Sequence, residues 1–141
     1  MEEYALFVSD HPFLIGGFFA LLGLIIWTEF TRLTRKYQMA TPAQAVQILN
    51  NDKAFILDIR EDREMVSGKI ANAKHIPSGK LKERLRELNK FKAFPTLVYC
   101  QSGTRSGMAC QTLTKDGFEN VHNLSGGLSA WESANLPLSK K

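Results

Sequence analysis

Hydrophobic and polar positions divide this chain into two unequal parts. Between Pro12 and Thr28 no residue is ionisable, and the run PFLIGGFFALLGLIIWT is apolar on every face. At ~1.5 Å per residue it makes about 25 Å of helix, enough for a short membrane span. Pro12 suits a first helical turn, with Ser9 and Asp10 available as caps. Tyr4 and Trp27 fall near the two ends, where amphipathic rings favour the interface. A cleaved signal peptide would want a basic start, whereas this chain opens Met1-Glu2-Glu3 and has no small-x-small site after the run. A buried core helix is the other alternative, but an all-round apolar surface carrying Gly16, Gly17 and Gly23 suits lipid better. Gly16 and Ala20, four apart, would let two such helices approach closely.

Beyond residue 40 the pattern changes to short alternating elements. Thr41-Pro42-Ala43-Gln44 is a capping box with proline at the first helical position, and Ala45, Ile48 and Leu49 continue an apolar stripe to Asn50-Asn51. Residues 54–59 read as a buried strand, and 61–66 as a short helix closed by Gly68. Residues 74–76 make a brief strand stopped by Pro77, and Leu81, Leu85 and Leu88 mark a charged amphipathic helix. Residues 96–99 form a third strand, 107–115 a helix closed by Gly117, 121–124 a fourth strand and 128–134 a last helix. Apolar strands alternating with helices predict an α/β domain whose parallel sheet is covered on both faces. The expected organisation is a short N-terminal segment (1–11), a transmembrane helix (12–28), a basic juxtamembrane linker (29–39) and one domain (40–141).

Charge orients this arrangement. Glu2, Glu3 and Asp10 precede the span and Arg32, Arg35 and Lys36 follow it, so the N-terminus belongs outside and the domain in the cytoplasm, at an inner (plasma) membrane. The domain carries fifteen Lys and Arg against ten Asp and Glu, concentrated at Lys80, Lys82, Arg84, Arg86, Lys90 and Lys92. Glu83 and Glu87 stand at helical spacing from these cations, which reads as a solvated helix face rather than a docking face for headgroups or an acidic partner. Without aromatic interleaving, nothing points to nucleic acid. The two cysteines, Cys100 and Cys110, form no CxxC and no Cys/His cluster, so neither a metal site nor a disulfide framework is expected, and no cofactor.

The candidate chemistry lies at Cys100-Gln-Ser-Gly103-Thr-Arg105-Ser106. A cysteine ending a buried strand, before a tight turn and a helix start, meets converging backbone N–H groups and a helix N-terminus. That environment stabilises a thiolate and binds an anion. Sites in parallel α/β folds lie at the C-terminal ends of strands, where Cys100 falls.

The order Leu57-Asp58-Ile59-Arg60, Glu64, Gly68-Lys-Ile70, Ala73-Lys-His75-Ile76-Pro77, Cys100-x-x-Gly103-x-Arg105-Ser106, Gly117-Phe118, Leu124-Ser-Gly126-Gly127, Trp131 and Leu136-Pro137 resembles a single rhodanese domain over residues 40–138. With the apolar run included, the chain resembles the membrane-anchored single-domain rhodanese-like proteins of bacteria. The resemblance implies a three-layer α/β/α fold and a sulfurtransferase in which Cys100 carries sulfane sulfur as a persulfide. The donor would be thiosulfate-like and the acceptor a thiol, or cyanide in the assay. Main-chain N–H groups from Gln101, Ser102, Gly103, Thr104, Arg105 and Ser106 would bind the anion, Gly103 would free the turn, and Arg105 would orient the donor. Related phosphatases have a loop longer by one residue, so the four residues 101–104 between Cys100 and Arg105 favour sulfur transfer over oxyanion-ester hydrolysis.

Other residues have simpler expected roles. Asp58 and Arg60 are supporting candidates near the pocket, with Asp58 closing backbone hydrogen bonds and Arg60 pairing with Glu64. Cys110 and Trp131 are expected in the core, His75 as a bystander rather than a general base, and Gly126-Gly127 as a tight turn beside the pocket. Lys69, Asn72 and Asn135 depart from the family pattern at surface turns. The rival reading is a membrane-tethered docking module with little or no catalysis. In either case the short linker would hold the domain near the bilayer, favouring a membrane-protein partner.

Overall fold

The computed structural model describes residues 9–140. Residues 1–8, with the Glu2, Glu3 and Tyr4 flank, and residue 141 lie outside them. The described chain divides into two units at residues 35 and 36. The first contains helix α1, Pro12–Leu33, with 22 residues, mean hydropathy 2.0 over its most apolar window and no buried residue. It is long and apolar enough to cross a membrane. Its apolar character continues past Thr28 through Phe30 and Leu33, and the Thr28, Thr31 and Thr34 hydroxyls bond back to carbonyls three or four residues earlier. The helix therefore takes in residues 29–33, which the sequence reading assigned to the linker.

The second unit holds a parallel sheet of strands β1 (Gln38–Ala40), β2 (Phe55–Asp58), β3 (Lys74–His75), β4 (Thr96–Tyr99) and β5 (Val121–Leu124), in the order β1-β5-β4-β2-β3. Strand β1 corrects the expected linker: Gln38 and Met39 enter the sheet by parallel pairing with His122 and Asn123. Only its last residue is buried, so no apolar run announces it. The other helices are α2 (Pro42–Leu49), α3 (Leu81–Arg84), α4 (Thr104–Lys115) and α5 (Gly127–Ser133). The Thr41–Gln44 capping box forms as expected, in both directions.

Alternation along the strands builds two cores. Phe55, Leu57, Val98 and Cys100 face α4 and the 81–91 segment, with Leu81, Leu88, Cys110 and Leu113. Ile56, Leu97 and Tyr99 face α2 and α5, with Ala45, Leu128 and Trp131. Strands buried on both faces are why they read as continuous apolar runs. The 81–91 segment is not one α-helix, because α3 passes at Leu85 into a 3₁₀ helix, Leu85–Phe91. Leu85, Leu88 and Phe91 recur every three residues, the 3₁₀ period, and Phe91 stacks on Phe55 with ring centroids 4.0 Å apart. The segment expected as helix 61–66 is likewise 3₁₀, Asp62–Ser67. Asn72 and Asn135, the turn positions that depart from glycine, take φ of 63° and 56°, a conformation asparagine tolerates best after glycine.

Candidate active site

Strand β4 is the middle of the sheet and its four residues are buried, so Cys100 emerges at the centre of the C-terminal edge. The chain then turns at once into α4, which begins at Thr104, three residues earlier than expected. Gly103 sits before it with φ of 95°, and a Cβ there would come within 3.3 Å of the Leu124 carbonyl. Arg105 and Ser106 thus occupy the first turn of α4 rather than an open loop. A second brace comes from the Gly126-Gly127 turn, where Leu128 and Ser129 donate backbone N–H groups to the Cys100 and Gln101 carbonyls at 2.9 and 3.2 Å. The Gln101 side chain reaches across to Ser129 Oγ at 3.0 Å.

Cys100 is fully buried. Its Sγ accepts the Gly103 N–H at 3.0 Å and lies 3.4 Å from Ser106 Oγ. Burial alone would push the thiol up; the Ser106 hydroxyl, when its one proton turns to the sulfur, and the N–H groups of Ser106, Gly103 and Ser102 outweigh it and hold the thiol below its ordinary value. Cys110 shares this core with only its own backbone N–H to oppose burial, and burial, then the nearby Cys100, pushes its thiol well up. It is filler, as is Trp131, whose Nε1 donates to the Pro137 carbonyl. His75 Nε2 lies 2.7 Å from the Arg60 carbonyl and Nδ1 3.6 Å from Asp62.

Two features depart from expectation. Arg60 does not pair with the Glu64 carboxylate. Its guanidinium makes a buried bidentate pair with Asp58, Nη2 to Oδ2 at 2.7 Å, and donates to the Glu64 carbonyl, Ser67 Oγ and the Gly68 carbonyl. All five guanidinium donors are thereby used, because a buried charge must be paired and hydrogen-bonded. Glu64 is left for Arg105, which it grips in two bonds of 2.7 and 2.8 Å. Arg105 beside it, opposed by partial burial, holds the Glu64 carboxyl at about 2. The cation that the sequence offered to a substrate is therefore neutralised by a carboxylate whose Oε2 also accepts the Glu61 N–H at 2.7 Å, while the Asp58–Arg60 clamp holds the Glu64 carbonyl. Next to Arg105 opens a groove of about 530 Å³, lined among others by Lys82, Met108, Thr112 and Lys115.

Sequence reasoning missed Asn123. It is 2% exposed at the C-terminal end of β5, accepts the Ser106 hydroxyl at 2.6 Å and donates to the Gly103 carbonyl at 3.0 Å. The adjacent polar pair His122-Asn123 inside the short strand beside β4 was the available signal. Gln101, Ser102 and Thr104 contribute backbone and rim, with Ser102 and Thr104 exposed.

Known proteins are similar to this chain in sequence and fold. A rhodanese-like domain profile matches residues 41–134. YibN of Escherichia coli K12 is 33% identical over 139 residues, 98% of this chain and 97% of its own. The thiosulfate sulfurtransferase GlpE of Coxiella burnetii is 32% identical over 97 residues, 69% of this chain and 89% of its own. The crystal structure of a rhodanese-related protein from Thermoplasma volcanium superposes with a TM-score of 0.67 at 28% identity, covering 74% of this chain and 100% of that one. A central cysteine at the sheet edge, in a loop that opens a helix and within a domain of this topology and sequence, establishes that the chain belongs to the rhodanese-like domain family.

Proposed function

We propose that this protein is a membrane-anchored sulfurtransferase that carries sulfane sulfur as a persulfide on Cys100. The observation carrying this reading is the Cys100 sulfur itself, held at the start of α4 by the Gly103 N–H, with its thiol below the ordinary value despite full burial. Sulfurtransferases named among the relatives support the reaction class. In the first step the Cys100 thiolate attacks the outer sulfur of a thiosulfate-like donor. A sulfur–sulfur bond forms as the donor's breaks, and the electron pair leaves with sulfite. An acceptor thiolate then attacks the outer sulfur of the persulfide, and the Cys100 thiolate is regenerated. Loop N–H groups would hold the anions, and the groove lined by Lys82 and Lys115 offers the approach. The apolar helix Pro12–Leu33 would anchor the domain, with Arg32, Arg35 and Lys36 keeping it on the cytoplasmic side of the inner membrane and close to a membrane-protein partner.

A tethered docking module is the second reading. The observation favouring it is that the sulfur is fully buried and its neighbouring cation already occupied by Glu64. Mass spectrometry of the detergent-solubilised chain after thiosulfate treatment separates the two. The wild type should gain the mass of one sulfur atom, removable by cyanide, and Cys100→Ser should gain none. A reduced, alkylatable Cys100 that takes up no sulfur would refute thiosulfate as donor and favour docking.

A further inference from the structure

Cys100, Ser106, Asn123 and Gly103 form a closed ring whose three side chains are buried. Gly103 N–H donates to Cys100 Sγ at 3.0 Å, Sγ lies 3.4 Å from Ser106 Oγ, Ser106 donates to Asn123 Oδ1 at 2.6 Å, and Asn123 Nδ2 donates to the Gly103 carbonyl at 3.0 Å. The last contact fixes the amide orientation. Turning it over would set the Asn123 oxygen against the Gly103 carbonyl, two acceptors face to face. Nδ2 also faces Met39 Sδ of β1 at 3.8 Å, again as donor to acceptor. Ser106 must therefore be the donor towards Asn123, and a hydroxyl has only one proton.

That inventory leaves Ser106 presenting a lone pair to Cys100, an arrangement that suits S–H but not the thiolate. To stabilise the thiolate, the hydroxyl must turn its proton to sulfur and leave Asn123 Oδ1 bare in a site almost closed to water. We propose that Asn123 is a positioning residue of the site: by competing with the cysteine for the single proton of Ser106, it holds part of the sulfur's reactivity in reserve. The inference goes beyond the persulfide reading and rests on it only in taking Cys100 as the nucleophile. Among the described residues, the other titratable groups near the sulfur are Arg105, already paired with Glu64, Cys110, and Tyr37, which packs on the same core with its hydroxyl beside Gly107. The positions of Arg105 and Cys110 do not depend on Asn123.

The test is the pH dependence of iodoacetamide alkylation at Cys100 in the full detergent-solubilised chain, read by mass spectrometry. The midpoint reports ionisation and the plateau reports access. Asn123→Ala frees the hydroxyl, so the midpoint should fall by about one pH unit, a tenfold rise in the ionisation constant, and Gly103 keeps the Gly107 N–H as a partner. Asn123→Asp keeps the acceptor and adds charge, so the midpoint should rise. Ser106→Ala should raise the midpoint much less in the wild type than in the Asn123→Ala background, the non-additivity expected of a shared proton. A merely structural role would move both Asn123 variants the same way, and that result would overturn the proposal, as would additive effects. Should Asn123→Ala fail to fold, the near-isosteric Asp variant decides alone: a midpoint that stays or falls sinks the idea. Because no sulfur donor is used, these outcomes stand whether or not thiosulfate loads the protein.

Discussion

Replacing Gly127 by alanine should disable the site more severely than its distance from the nucleophile along the chain suggests. Gly127 has φ of 60°, and an added Cβ would stand 2.5 Å from the Cys100 carbonyl oxygen and 2.6 Å from that of Gln101. Both neighbours are backbone, so no side chain can swing away. The left-handed conformation costs roughly 1–2 kcal/mol for a residue with a Cβ. Relieving the overlap requires the 100–101 backbone to withdraw, which sacrifices the bonds from Leu128 and Ser129 at about 1 kcal/mol each. A total of about 3–4 kcal/mol is a large share of the ~5–15 kcal/mol stability of a domain. At a slope of roughly 2 kcal/mol/M it lowers the urea midpoint by about 2 M. Near-UV circular dichroism of the full chain in urea measures this, alongside persulfide loading by mass spectrometry. Gly79→Ala is the control, since a Cβ there meets nothing within 4 Å. A Gly127→Ala protein with wild-type midpoint and loading would refute the claim that this turn braces the cysteine.

Arg60→Met should destabilise by about 3–5 kcal/mol, because it strands the buried Asp58 carboxylate and releases the 64–68 carbonyls; chemical denaturation checks it. Glu64→Gln should cost about 1 kcal/mol at neutral pH, given a half-buried pair. The carboxyl is depressed from 4.5 to about 2 in the fold, so its stabilisation is complete above 4.5 and disappears as pH falls towards 2. Wild-type and variant melting temperatures should therefore converge over that interval, and a constant gap would refute the pair. The same variant frees Arg105, so thiosulfate loading should become several-fold faster at low salt. At pH 8 iodoacetamide should label Cys100 and spare Cys110, whose thiol burial pushes up; peptide mapping that finds both labelled equally would contradict the site assignment.

Much of this protein was legible one residue at a time. The apolar run after Pro12, the Thr41–Gln44 box, the continuous hydrophobicity of β2 and β4 and the glycine turns are local consequences of side-chain chemistry, and they sufficed for the α/β class and for placing Cys100 at the end of a buried strand. Limits appeared where a partner distant in sequence decided the outcome. Strand β1 has no apolar signature because pairing with β5, more than eighty residues away, makes it a strand. Local spacing favoured Glu64 as the partner of Arg60, yet burial drove Arg60 onto Asp58, whose carboxylate lies beneath it in the same dry pocket, and left Glu64 to cross to Arg105. Asn123 gained its place beside Ser106 only when β5 aligned next to β4. Sequence by itself determined the elements and which chemically capable side chains stand at their ends. The tertiary structure decided how each proton and charge near the sulfur is shared, because hydrogen bonds and ion pairs depend on distances that only the packed sheet sets.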